Sequence, residues 1–152
     1  MIKPIPRWRK LHNEEGASLL ELALVMPTIM LILMACIDFS RAYFLGIEVV
    51  GAAHAGAEYG VQNISDIAGI TAAATSDAPD VPNLSVATPT HGCECADGSS
   101  SVANCTSAPS CTDNMVYWVK VTASAAYKPI FPWPGIPSTI TISNSATMRS
   151  GS

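Results

Sequence analysis

At 152 residues the chain has room for one domain of ordinary size. Charged residues make up 13% of it, about half the roughly 25% of an average soluble protein. The net charge of −4 is thinly spread, and beyond the first ten residues Arg41, Lys120, Lys128 and Arg149 stand alone, which excludes a phosphate-backbone surface.

Residues 1–16 form a basic, proline-containing leader with Lys3, Arg7, Arg9 and Lys10 and no hydrophobic periodicity. An apolar run of 21 residues, 17–37, follows. At about 1.5 Å per residue it makes a helix of roughly 30 Å, the thickness of a bilayer's hydrocarbon core. We read residues 17–38 as a transmembrane helix. The positive-inside rule keeps the leader in the cytoplasm and exports the rest. One carboxylate, Glu21, lies inside the run, where a central charge costs roughly 2.5–3.5 kcal/mol on insertion scales. Pro27 removes one intrahelical hydrogen bond and is expected to kink the helix.

Nothing stops the helix at the membrane edge, and residues 39–76 read as its exported continuation, running to about residue 60 and resuming to about 75. Tyr43, Ile47, Val50, His54, Ala57 and Val61 recur at three- and four-residue steps, which predicts an inward stripe with His54 as a core histidine. Gly46, Gly51, Gly56 and Gly60 weaken the helix but suit close helix–helix approach.

The prolines of DAPDVPN end the helix, and residues 77–152 form a small β head. Leu84, Val86 and Thr88 alternate as a short strand. HGCECADGSSSVANCTSAPSCTDN has turn residues and no period, so it is expected to be a loop. MVYWVKVTASAAYK, residues 115–128, alternates and is rich in β-branched and aromatic residues, as a strand should be. PIFPWPGIPS holds four prolines and is a stiff turn, and residues 138–148 alternate Ile140 and Ile142 with threonine and serine in a last strand with one buried face. The fold class is therefore α+β: a long N-terminal helix, its first half transmembrane, packed on an antiparallel sheet of about three strands.

Cys93, Cys95, Cys105 and Cys111 form an even set in a segment placed outside the membrane, which reads as two disulfides. Three pairings are open, and the nested one, Cys93–Cys111 with Cys95–Cys105, is favoured. The C-x-C spacing does not match the paired C-x2-C of zinc ribbons, so no metal is assigned, even with His91 nearby. Cys36 is read as a buried apolar thiol; a lipobox at residues 33–36 is the competing reading. His12, His54 and His91 lie far apart along the chain with no nucleophile elbow, zincin motif or phosphate loop, so no catalytic residue, cofactor or enzymatic activity is assigned. Trp118, Tyr127, Phe131 and Trp133 are candidates for an exposed aromatic surface near the proline turn, with core packing as the alternative.

A basic leader, Gly16, four residues, Glu21 and an apolar helix together resemble the class III signal of type IV pilins and pseudopilins. The resemblance implies cleavage by a prepilin peptidase between Gly16 and Ala17. It also implies that Glu21 pairs with the new terminal amine of a neighbouring subunit, and it gives Pro27 a place in subunit assembly. GASLLELALVMP, IDFSRAYF, the C-x-C pair and YWVKVTASAAYKPIFPWPGIPSTITISNSATMR look like the TadE-like minor pilins of tight-adherence (Flp) systems. Leu22 departs from the Phe or Tyr common after the glutamate, and LLEL is close to the start of type II secretion pseudopilins. What the resemblance implies is a pilin-like protein of the bacterial inner membrane with a periplasmic head, incorporated into or priming an extracellular pilus. Its partners would be the prepilin peptidase, the major Flp pilin, other minor pilins, the inner-membrane assembly platform and membrane lipid, with no nucleic acid. A type II secretion-like pseudopilin, or a membrane-anchored adhesin or lipoprotein, is the alternative.

Overall fold

The computed structural model describes residues 14–107, 109–112 and 114–150. Most of the leader, with Lys3, Arg7, Arg9, Lys10 and His12, therefore lies outside the described residues. The chain divides into two compact units, Met1–Ile37 and Asp38–Ser152.

One helix, α1 (Glu14–Gln62), contains the apolar run, and Pro27 lies inside it. It is long and apolar enough to cross a membrane, and none of its most apolar window is buried by the rest of the protein. In the first unit Leu19, Leu20, Leu24, Leu31 and Ile32 are all exposed. Cys36 is also exposed and free, so the expected buried thiol is not found within the chain.

The second unit adds α2 (Ile67–Asp77) and five strands: β1 (Ser85–Val86), β2 (Thr90–Cys95), β3 (Ser101–Ala103), β4 (Met115–Tyr127) and β5 (Ile140–Arg149). All pairings are antiparallel, and β4 is central. One edge of β4 carries β5 from Trp118↔Arg149 to Tyr127↔Ile140. The other carries β1 and β2 end to end: Val86 lies opposite Ala123, and Thr90 opposite Lys120. β3 closes onto the outer side of β2. The sheet thus has five strands where about three were expected, because the cysteine segment forms β2 and β3 rather than a loop. Its small residues have no hydrophobic period of their own. Gly92 shows why they pair: a side chain there would run into the Trp118 ring, which lies across the glycine and donates its indole N–H to Ser101 Oγ at 3.1 Å.

The core lies between the head's part of α1, α2 and one face of β4. Val49, Ala52, Ala53 and Ala57 of α1, Ile70 and Ala74 of α2, and Val119, Val121, Ala123 and Ala125 of β4 are buried. A methyl group on Gly56 would sit 3.1 Å from Val121 and 3.0 Å from Ala74, and one on Gly60 would sit 2.8 Å from Val119. These glycines let the helix approach the sheet and α2 within the subunit. The inward face is therefore the small-residue one. Of the stripe predicted as inward, only Ala57 belongs to the buried core; Val50 and Val61 are half-buried, Tyr43, Ile47 and His54 are exposed, and His54 is not a core histidine. Both faces are apolar, and only the alanine–glycine face is flat enough to meet the sheet. In β5 the buried member is Ala146, with Met148 beside it; Ile140 is exposed.

Asp66 starts α2 by accepting the Gly69 N–H at 2.9 Å, and Tyr59 of α1 donates its hydroxyl to the same carboxylate at 2.9 Å. The Gly69 N–H first, and the Tyr59 hydroxyl second, hold the Asp66 carboxyl below the usual range. The hydrogen bond to Asp66, and then its charge, raise the Tyr59 phenol.

Candidate functional site

Gly16, Ala17, Glu21 and Pro27 all fall on α1 in the first unit. Glu21 lies five residue steps along the helix from Gly16, a rise of about 7.5 Å. Glu21 is exposed among exposed leucines, and among the described residues no opposite charge meets it. A carboxylate on an apolar helix, left without an opposite charge by the described residues, calls for a counter-charge beyond them or for protonation.

The second unit begins at Asp38, the residue that follows the apolar run. It is the one buried charged residue among those described, 6% exposed. Its carboxylate gathers donors from the far end of the chain. Oδ1 accepts from the Ile130 N–H at 2.9 Å and the Tyr127 hydroxyl at 3.2 Å. Oδ2 accepts from the Trp133 indole N–H at 2.8 Å and, more weakly, from the Phe131 N–H at 3.4 Å. The Tyr127 hydroxyl also reaches the Asp38 carbonyl at 2.8 Å. Arg41, one helical turn on, lies 3.7 Å from Oδ1 and stacks its guanidinium 5.8 Å from the Tyr127 ring centre. Burial, and then the negative charge of Asp38, push the Tyr127 phenol up. The prolines prepare this cluster: with φ fixed at four positions, the loop offers its N–H groups to Asp38 at little entropic cost. Asp38 therefore clamps the proline turn and the end of β4 to the first residues of the head's helix. Sequence reasoning missed it because its partners lie 89 to 95 residues away. The available signal was that both stretches, IDFSRAYF and YKPIFPWPG, belong to the family resemblance.

The four aromatics do not form one surface. Tyr127 is buried in the clamp, Trp118 packs on Gly92 at the other end of β4, and only Phe131 and Trp133 associate, with ring centres 6.4 Å apart.

The four loop cysteines are bonded as Cys93–Cys105 and Cys95–Cys111, with Cα separations of 5.2 and 5.4 Å. The nested pairing is thus replaced, and the strands explain why. In an antiparallel hairpin, residues later in β3 lie opposite residues earlier in β2: Val102 faces Cys93 and Ala103 faces Gly92. Cys105 is carried to the Cys93 end, with Asn104 and Cys105 turning the chain at φ 57° and 49°. Cys111 comes four residues before Met115, whose partner across the sheet is Cys95. No group of metal-ligating side chains is found among the described residues.

The structure defines an α+β protein in which a long apolar N-terminal helix packs its second half on a small antiparallel sheet. Residues 16–58 match the family model described as TadE-like protein. The match starts at Gly16 and runs through Asp38 and Arg41 into the packed part of α1. No curated protein and no solved structure matches the chain.

Proposed function

We propose that the chain is a minor pilin or pseudopilin of a tight-adherence pilus, anchored by residues 17–38 and cleaved by a prepilin peptidase after Gly16. The reading rests on one coincidence: the TadE-like match begins at Gly16 and covers an apolar run, 17–37, whose single carboxylate meets no opposite charge among the described residues. After cleavage the Ala17 amine of one subunit neutralises Glu21 of its neighbour, and each charge makes the other tolerable in a low-dielectric bundle. The bulky stripe of Phe39, Tyr43, Ile47 and Val50 supports the same reading. It lines a groove of about 560 Å³ with Ile142 and Asn144 that the subunit does not fill. The work is mechanical rather than catalytic, with the major Flp pilin, other minor pilins and the inner-membrane assembly platform as partners.

Glu21→Ala tests the assignment. The variant inserts and is cleaved, but it is not incorporated, because a lone buried amine remains; breaking a buried pair typically costs about 3–5 kcal/mol. Glu21→Gln is intermediate. Normal crosslinking of a cleaved Glu21→Ala protein to the major pilin would remove the role given to the carboxylate.

A further inference from the structure

The proline turn, residues 129–137, has a composition that neither the core nor the clamp explains. Ile130, Phe131 and Ile136 are 56%, 41% and 47% exposed, and Phe39, beside Asp38 on the helix, is 74% exposed. Such side chains on an irregular loop are a liability in water unless something covers them. The loop's backbone is also unusual in how few donors it leaves for water. Pro129, Pro132, Pro134 and Pro137 have no N–H. The N–H groups of Ile130 and Phe131 are given to Asp38, and that of Ile136 to the Trp133 carbonyl at 3.1 Å. Even the Trp133 indole N–H is satisfied within the protein. With four donors removed and three paired, only the backbone N–H groups of Trp133 and Gly135 are left for an outside acceptor, so the loop can enter a region of low water content at a smaller penalty than ordinary backbone carries there.

The location of the clamp says what that region is. Asp38 is one peptide bond from Ile37, the last residue of an apolar run as long as a bilayer's hydrocarbon core is thick. That covalent link alone holds the clamp at the membrane boundary, whatever the disposition of the two units. We propose that residues 129–137 form a membrane-interface anchor, in which Ile130, Phe131 and Ile136 enter the boundary between headgroups and acyl chains. The Trp133 ring lies at headgroup level, where indoles concentrate. Arg41, half exposed, and Lys128, exposed, lie next to the loop and suit the phosphates of anionic phospholipid; Asp80 shares their groove, and the Asp38 carboxylate is already occupied. This inference rests on residues 17–38 being a membrane span. It assigns the loop to lipid rather than to a neighbouring subunit.

The test uses the full chain reconstituted in vesicles of phosphatidylethanolamine with a minority of phosphatidylglycerol, with and without acyl-chain-brominated lipid as quencher. Three single-tryptophan proteins are compared. Trp133 is kept alone by Trp8→Phe and Trp118→Phe; Trp118 is kept alone by Trp8→Phe and Trp133→Phe. The third carries Leu31→Trp with all three native tryptophans replaced by Phe. The expected result is strong quenching of the residue-31 reporter, clear quenching of Trp133 and none of Trp118. A quenched residue-31 reporter with Trp133 no more quenched than Trp118 would overturn the anchor and leave the span standing, and would give the loop to a protein partner. An unquenched residue-31 reporter would overturn the anchor together with the membrane reading beneath it.

Discussion

Replacing Tyr127 by phenylalanine removes one hydroxyl and leaves the ring in place, so it probes the clamp without opening a cavity. Tyr127 is 7% exposed, and its hydroxyl donates to the Asp38 carbonyl at 2.8 Å and to Oδ1 at 3.2 Å. The stacking with Arg41 survives in the variant. A hydrogen bond to a charged group contributes about 1.5–3 kcal/mol, and its loss from a buried site returns no compensating water. The expected destabilisation of the head is about 2 kcal/mol, roughly a 30-fold fall in the folded-to-unfolded ratio. The assay is urea unfolding of the full chain in detergent, followed by tryptophan emission and compared with Tyr117→Phe. Tyr117 is 43% exposed, and its change is expected to stay within about 0.5 kcal/mol. Equal urea midpoints for the two variants would refute the clamp as a source of stability.

The two ends of the glycine series in α1 should respond with opposite sign. Gly60→Ala places a methyl 2.8 Å from Val119 Cγ1 and should cost about 1–3 kcal/mol. Gly46→Ala meets nothing within 4 Å and should gain up to about 1 kcal/mol from helix propensity; the same urea titrations read both. Digestion under non-reducing conditions should yield peptides linking Cys93 to Cys105 and Cys95 to Cys111. Cys95→Ser with Cys111→Ser should cost about 3 kcal/mol for a loop closed across a sequence separation of 16. A peptide joining Cys93 to Cys111 would restore the nested pairing.

The elements legible in the sequence were those whose hydrophobic pattern is complete within themselves. β4 announces itself by alternation, and α1 by a run too long to be anything but a helix. β2 and β3 were illegible because their stability comes from partners elsewhere: two disulfides, the edge of β4 and the Trp118 ring over Gly92. The inward face of α1 was misplaced for a related reason, with Ala57 alone of the predicted stripe in the buried core. Periodicity marks apolar faces but not which of two will be buried, and the bulkier stripe attracted the assignment. The sheet instead takes the face where Gly56 and Gly60 allow close approach. Glu21 was visible because a charge inside an apolar run is anomalous locally. Asp38 was not, because a charge at the edge of such a run is ordinary, and only the fold brings the proline turn back to it.

The mass of the mature N-terminus, measured on protein purified from cells that contain a prepilin peptidase, tests the central claim most directly. A chain beginning at Ala17 is the predicted result. A chain that retains residues 1–16, or one that begins at a lipid-modified Cys36, would contradict it.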